Sequence, residues 1–385
     1  MTNPIGPLTA ADEWFSHQIV DTFAAVGTSD PAWTEKVCAM AAARDGSLQL
    51  GFGFGKYTNR NVTDGYGGVS RGVEQITVRA SRRLSDDLGL VGAGPLRYEI
   101  AEPLRQIRFL LEPNDTQPIA FDWLFTASLP ATLEDRTHNR QGYRVSADLV
   151  RYHQIGTASG WVEIDGERTE ITPESWVSTR DHSWGVRYDV GEPANDLEPS
   201  RGLEGGTFQF VWSPILMERP DASVYGLFLN VSKMAFPGFE QKTTMAMVEH
   251  PDGRTERIVD LEPDFTYDPV NRRLRGGTLH ATLADGTTRA LAVEVVSDTG
   301  FHLGAGLYFG FNGHHHGEWR GELVVEGERI DDCSTADNAR RLHQIRDTVV
   351  RVTDPVGGGI GYGNMQPIVT GAFPELGLDA DSSFI

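Results

Sequence analysis

The chain has 385 residues, 39% hydrophobic and 23% charged, with 20 prolines spread along it, which excludes disordered, collagen-like and low-complexity proteins. Its formal net charge of −20 repels phosphate backbones and anionic lipid, and its basic residues are scattered, so neither nucleic acid nor a membrane surface is expected as a partner. No apolar run approaches the roughly 20 residues of a membrane span, and Met1 to Leu8 lacks a leader's basic cluster and apolar stretch, so a soluble, cytoplasmic protein is expected.

In chain order the first predicted element is a helix over Ala10–Phe23. Alternating apolar and polar residues then predict strands at Leu48–Phe54, Val73–Ala80, Leu96–Ile100, Leu104–Leu111 and Phe121–Ala127. Further strands are expected at Phe208–Trp212, Val224–Val231, Gly306–Phe311 and Gly321–Val325. Asp165-Gly166, Asp252-Gly253 and Asp285-Gly286 supply the positive φ angles of tight hairpins. A second helix is expected over Ala336–Asp347, with Ser334 or Thr335 as cap and Ala336, Ala339, Leu342 and Ile345 on one face. The segment Gly191–Gly206 carries glycines, prolines and acids with almost nothing to bury, and reads as a linker. The expectation is an all-β protein of two barrel or sandwich domains, 1–192 and 206–385, joined by 193–205.

Several motifs are weak. Gly68-Val69-Ser70-Arg71-Gly72 matches a nucleophile elbow in letters, but a strand follows it where a helix is needed. Gly357–Gly363 has no register matching a dinucleotide loop. Cys38 and Cys333 are too few for a disulfide scaffold or a thiolate zinc site, and read as packing residues. Tyr57, Asn59, Asn61 and Asp64 read as a polar turn. On a strand, His314, His316 and Glu318 would share a face, so a metal site, a polar pocket wall and a solvated turn all remain open there. The favoured assignment has no metal and no cofactor, with His314 and His316 lining a pocket.

The dense segment is Arg180-Asp181-His182-Ser183-Trp184-Gly185-Val186-Arg187. An acid, an imidazole, an indole and two guanidiniums can supply proton transfer, a flat apolar wall and anion stabilisation. Extended, it turns Asp181 and Ser183 one way and Arg180, His182 and Trp184 the other, and a strand end with Arg180 or Arg187 paired to Asp181 is the plain structural alternative. This RDHSWG string, with the preceding hairpin His153 to Gly166, resembles the two-domain lipocalin-like family of carotenoid 1,2-hydratases and AttH-like proteins, which also includes kievitone hydratase-like proteins and fungal Diels-Alderases. Trp33-Thr34-Glu35-Lys36 and Gly313–Gly321 resemble bacterial members of that group. The resemblance implies paired β-barrels, a ligand cavity in or between them, and apolar substrates such as terpenoids, steroids or polyketides.

The function expected is therefore a lyase or isomerase, of hydratase type, working without a redox cofactor on an apolar unsaturated small molecule. Asp181, His182 and Arg180 are the catalytic candidates; Trp184, Arg187, Trp123, Tyr143, Trp161, Phe210, Trp212, His314 and His316 are the candidate substrate-binding residues. A cyclase or pericyclase on the same scaffold and a non-enzymatic carrier of apolar ligands are the alternatives. Neither substrate nor oligomeric state is legible.

Overall fold

The computed structural model describes residues 7–15, 17, 27–85, 91–192, 194, 196–198 and 205–383. Two large antiparallel sheets, each barrel-shaped, make up nearly all of it. The first contains β1 (Trp33–Ala43), β2 (Gln49–Tyr57), β3 (Val62–Arg71), β4 (Glu74–Arg83), β5 (Gly92–Ala93), β6 (Leu96–Glu102), β7 (Gln106–Leu111), β8 (Ile119–Ala127), β9 (Thr132–Leu133), β10 (Thr137–Gln141), β11 (Arg144–Ile164), β12 (Glu167–Ile171) and β13 (Trp176–Val186). The second contains β14 (Thr207–Glu218), β15 (Val224–Phe236), β16 (Phe239–Thr244), β17 (Ala246–Glu249), β18 (Thr255–Tyr267), β19 (Leu274–Leu283), β20 (Thr288–Val295) and β21 (Phe301–His302). One strand crosses over: β22 (Leu323–Ile330) leaves the second half of the chain and pairs with β4 at the edge of the first sheet. The chain then returns through α1 (Ala336–Arg341) to β23 (Arg346–Asp354) and β24 (Gly359–Thr370) of the second sheet.

Strand pairing in the second sheet runs β14-β24-β23-β20-β19-β18-β17-β15 and back to β14, so this barrel is closed by hydrogen bonds. Its interior is aliphatic, with Ile215, Leu227, Leu279, Leu291 and Val352 buried together. The first barrel holds an aromatic core of Phe52, Phe109, Phe121, Trp123 and Phe125. Between the two lies a smaller apolar layer of Met40, Ala42, Ile155, Val177, Leu216 and Val349. Two faces of β1, β11 and β13 are thus covered, one by the first barrel's interior and one by the second barrel. Gly363 marks how tightly β24 meets β14, because a Cβ there would stand 2.1 Å from the Pro214 carbonyl oxygen.

The three Asp-Gly hairpins fall where expected, joining β11 to β12, β17 to β18 and β19 to β20, but only Asp165-Gly166 has positive φ at both residues; Asp252 and Asp285 do not, and their loops are longer. Other expectations are corrected. Ala10–Phe23 yields only a 3-10 turn over Ala10–Glu13, after which Trp14 is extended; residues 16 and 18–23 lie outside the described residues. The second helix stops at Arg341 because His343 and Gln344 take positive φ values of 55° and 56°, which no helix continues through. Gly306–Phe311 is a loop, with positive φ at Leu307, Phe309 and Gly310. Strand β1 went unpredicted because its Ala41-Ala42-Ala43 end and its burial on both faces erase the polar alternation that marks a half-buried strand. Positions 193, 195 and 199–204 of the expected linker also lie outside the described residues. Among the described residues no helix is long and apolar enough to cross a membrane.

Candidate functional site

Strand β13 carries the RDHSWG segment through the middle of the first sheet, between β1 and β11. Its register is unbroken: Val37, His182 and Tyr152 stand side by side, and so do Cys38, Asp181 and His153. With no bulge to redirect a side chain, Arg180, His182 and Trp184 enter the first barrel while Asp181 and Ser183 face the second. Aspartate and histidine, neighbours in sequence, thus belong to different sites.

The inward group ties the amino-terminal segment into the barrel. Arg180 donates from Nη1 and Nη2 to the two Glu13 oxygens at 2.8 and 2.6 Å, and from Nε to Gln154 at 2.9 Å. Glu13 also accepts from the Tyr98 and Tyr152 hydroxyls at 2.7 and 3.0 Å and from the Leu104 backbone N–H at 2.7 Å. Burial raises the Glu13 pKa, but the Arg180 charge overrides it and holds the carboxyl far below the usual range. His182 Nε2 lies 3.0 Å from Glu35 Oε1 and its Nδ1 3.2 Å from the Tyr152 hydroxyl. Burial lowers the His182 pKa, yet the hydrogen bonds with Glu13 and Glu35 outweigh it and raise it, favouring an imidazolium. His17 Nδ1 meets the same Glu35 oxygen at 2.6 Å, its Nε2 meets Asp12 at 3.1 Å, and its ring stacks on Trp184 at 3.6 Å. His17, Glu35 and His182 gather three ligand-type atoms within 4.8 Å, but each imidazole nitrogen already has a hydrogen-bond partner, and the cluster is satisfied as an ion-pair plug.

The outward group is less complete. Asp181 lies deep between the sheets yet keeps accessible surface, and among the described residues it has no hydrogen-bond or ion-pair partner. Burial raises its pKa, and the nearby charges of Arg151, Arg187 and Lys36 do not reverse the shift. Arg180, which the sequence offered as a partner, is committed to Glu13 on the opposite face. A second carboxyl from β23, Asp347, is pushed up to about 6 by burial despite amide hydrogen bonds of 2.9 Å each from Gln366 and Asn364, and the Asp181 charge adds to the rise. Arg187 donates to Ser183 Oγ at 2.5 Å, leaves Nε without an acceptor, and has no ion-pair partner among the described residues.

Around these charges stand Cys38, Tyr66, Tyr308 and Ile368, packed as one cluster with Phe301, and Phe210 on the strand beside Ile368. Cys38 Sγ is 3.2 Å from the Tyr66 hydroxyl, and burial pushes its thiol up to about 12, which removes it as a nucleophile at neutral pH. Trp212 closes one side, donating to Glu134 Oε1 at 3.1 Å with the Arg151 guanidinium 5.3 Å from its ring centre. Beside it His153 bridges the barrels, 2.8 Å from Glu249 and 3.3 Å from Glu134, stacked on Phe228 at 3.8 Å. Together these residues line a recess between the barrels, where Asp181, Cys38 and Tyr308 keep accessible surface among aromatic and charged side chains.

Of the other expected residues, His316 reaches the recess: it is buried, with Nε2 2.8 Å from Lys36 Nζ. His314 instead points outward and pairs with Glu318, since positive φ at Gly313 and Gly317 makes the histidine run a turn and not a strand. Trp123 is sealed in the first barrel's core, stacked with Phe109 at 4.8 Å. Trp161 lies on that barrel's outer face under Arg168, and Tyr143 is 98% exposed at a hairpin tip. Sequence reasoning missed Lys36, Asp347, Tyr308, Glu13 and His17. It also read Tyr57 and Asp64 as a solvated turn, whereas both are buried beside the recess.

A family profile described as Family of unknown function (DUF8625) matches residues 8–379. No curated protein matches the chain. Among solved structures, an AttH-type protein of Nitrosomonas europaea is 14% identical with a TM-score of 0.46, over 87% of this chain and 91% of its own. Kievitone hydratase of Nectria haematococca is 10% identical, TM-score 0.43, over 86% and 88%; CghA is 13% identical, TM-score 0.43, over 89% and 90%. At these identities and TM-scores the likeness carries nothing about substrate or reaction.

Proposed function

We propose that this chain, which belongs to the Family of unknown function (DUF8625), is an acid–base lyase or isomerase of hydro-lyase type, acting on an apolar small molecule in the recess between its barrels. The observation that carries the reading is Asp181: a carboxyl between the barrels that keeps accessible surface, is unpartnered among the described residues, and has its pKa raised by burial. A protonated acid is what addition of water to a C=C bond requires. Asp181 delivers its proton to one carbon, the water oxygen bonds to the other, and the remaining water proton passes to a base.

Asp347 supplies that base. Burial raises its carboxyl to about 6, so at neutral pH it is ionised and more basic than an ordinary carboxylate. Trp212 and Phe210 offer apolar and π surface to the substrate's body. Arg180, His182 and Trp184 act at one remove: they hold the amino-terminal segment and fix β13, which presents Asp181 on its other face.

The test is mass-resolved profiling of an apolar metabolite extract incubated in oxygen-18 water with the protein, with Asp181→Asn and with Asp347→Asn. Gain or loss of one water, abolished in both variants, is expected. Turnover that survives Asp181→Asn would overturn the assignment, and ligand retention with no transformation would make the protein a carrier.

A further inference from the structure

Lysine occurs at four positions in this arginine-rich chain, 36, 56, 233 and 242. Lys233 and Lys242 form ion pairs with glutamate or aspartate near the surface. Lys36 does not: it is 3% exposed, and among the described residues no carboxylate lies within ion-pair distance of its Nζ. Its amine has a neutral acceptor, His316 Nε2 at 2.8 Å, and lies 3.8 Å from the centre of the Tyr308 ring. Behind His316, Nδ1 stands 3.7 Å from Asp64 Oδ1, and Asp64 Oδ2 is fixed by the Gly317 N–H at 2.6 Å. Acid, imidazole and amine thus stand in line, ending at a recess where Cys38 and Tyr308 keep accessible surface.

We propose that Lys36 is a carbonyl-capturing amine, which forms a Schiff base with an aldehyde or ketone group of the molecule held between the barrels. This names a substrate class for the recess and rests on the reading that the recess takes a small molecule. The neutral Nζ attacks the carbonyl carbon and passes a proton to His316 Nε2. The carbonyl oxygen, protonated twice, leaves as water, and the C=N bond replaces the C=O bond, so that amine plus carbonyl gives imine plus water. Asp181, on the strand paired with β1, is placed to supply a proton to the departing oxygen. With an α,β-unsaturated carbonyl, the protonated imine draws electrons from the conjugated C=C bond and opens its far carbon to water, which joins this step to the lyase chemistry.

The surroundings favour the neutral amine. The titratable groups near it are Arg187, Asp181, Asp64, Asp189 and the neutral Cys38 thiol, with His316 and Tyr308 in contact, and burial, helped by Arg187, lowers Lys36 to about 7. Burial is the main cause that lowers His316 to about 4, so its imidazole is neutral at pH 7, with Nε2 facing the amine. A buried lysine without a carboxylate partner is the setting in which an amine serves as nucleophile.

The test is reductive trapping on the full chain at pH 7 with cyanoborohydride and two probes, formaldehyde and cinnamaldehyde, read by peptide mass spectrometry at all four lysines. Lys36 is expected to be labelled at least about 10-fold faster than Lys233 and Lys242, with the ratio shrinking as pH approaches 10 and the surface amines deprotonate. Lys36→Arg should remove that label, and His316→Gln, which keeps an acceptor but takes no proton, should slow Lys36 labelling. Label on Lys233 and Lys242 with none on Lys36 by either probe overturns the proposal. Two measurements separate the readings: turnover lost in Asp181→Asn with Lys36 still trapped supports both, whereas turnover by the parent chain with no Lys36 label leaves the lyase reading standing and refutes this one.

Discussion

Glu13→Gln tests whether the inward half of the RDHSWG segment is a structural tie. Arg180 is 1% exposed and Glu13 fully buried, so the substitution leaves a guanidinium inside the barrel with Gln154 and two phenols but no counter-charge. Breaking one side of a buried ion pair costs about 3–5 kcal/mol. The amide also turns donors towards the Tyr98 hydroxyl and the Leu104 N–H, which now donate to the carboxylate. Taking about 4 kcal/mol in all, the melting temperature should fall by about 10 °C. Urea unfolding followed by tryptophan fluorescence measures the free-energy loss, and thermal unfolding followed by circular dichroism the shift in melting temperature. The Glu13→Leu, Arg180→Met double variant, which removes both charges, should recover most of the loss. Because the folded pKa of Glu13 is depressed, its contribution is fully present above its ordinary value of 4.5 and is lost as pH falls towards the depressed one, so the gap to the variant closes only in acid. A single variant within about 1 kcal/mol of the parent, or a double variant no better than the single, would refute the tie.

Three further outcomes are expected. Burial lowers the His153 pKa, but Glu249 and Glu134 raise it to about 9, so its stabilisation is complete below 6.5 and lost as pH rises through about 9; the unfolding free energy from urea titration should fall over that window by up to about 3 kcal/mol, and be flatter in His153→Gln. Asp347, raised from 3.8 to about 6, lowers stability as pH rises between those values; Asp347→Asn should leave stability unchanged at pH 4 and increase it at pH 8 by up to about 3 kcal/mol while abolishing turnover. Gly363→Ala sets a Cβ against the Pro214 carbonyl and should cost about 3 kcal/mol by thermal unfolding, since backbone on both strands must move.

Hairpin positions were the most legible part of the fold: Asp165 and Gly166 take the expected φ of 54° and 84°, whereas at Asp252-Gly253 and Asp285-Gly286 only the glycine is positive, at 83° and 87°. The alternation of Arg180, Asp181 and His182 was equally readable, since a period of two holds wherever a strand has no bulge. What could not be read was pairing over distance. Glu13 lies 167 positions from Arg180, and Lys36 lies 280 from His316. Asp347 was hidden by the apolar spacing of Ala336 to Ile345, which holds for one helical turn before His343 and Gln344 reverse the chain. Burial, not the arginines, decides the sign of the Asp181 shift, and burial depends on the second barrel packing against the first.

The crossover of β22 has a consequence for synthesis. Its partner, β4, ends at Arg83, and Leu323 lies roughly 240 residues further on. At about 5–20 residues per second, the ribosome takes about 12–48 s to deliver the missing strand. Throughout that interval the nascent chain carries an open row of β4 amides and carbonyls, the kind of edge that recruits a strand from any neighbouring chain. A fragment ending near residue 192 would keep that edge indefinitely, and two copies of it would tend to pair there.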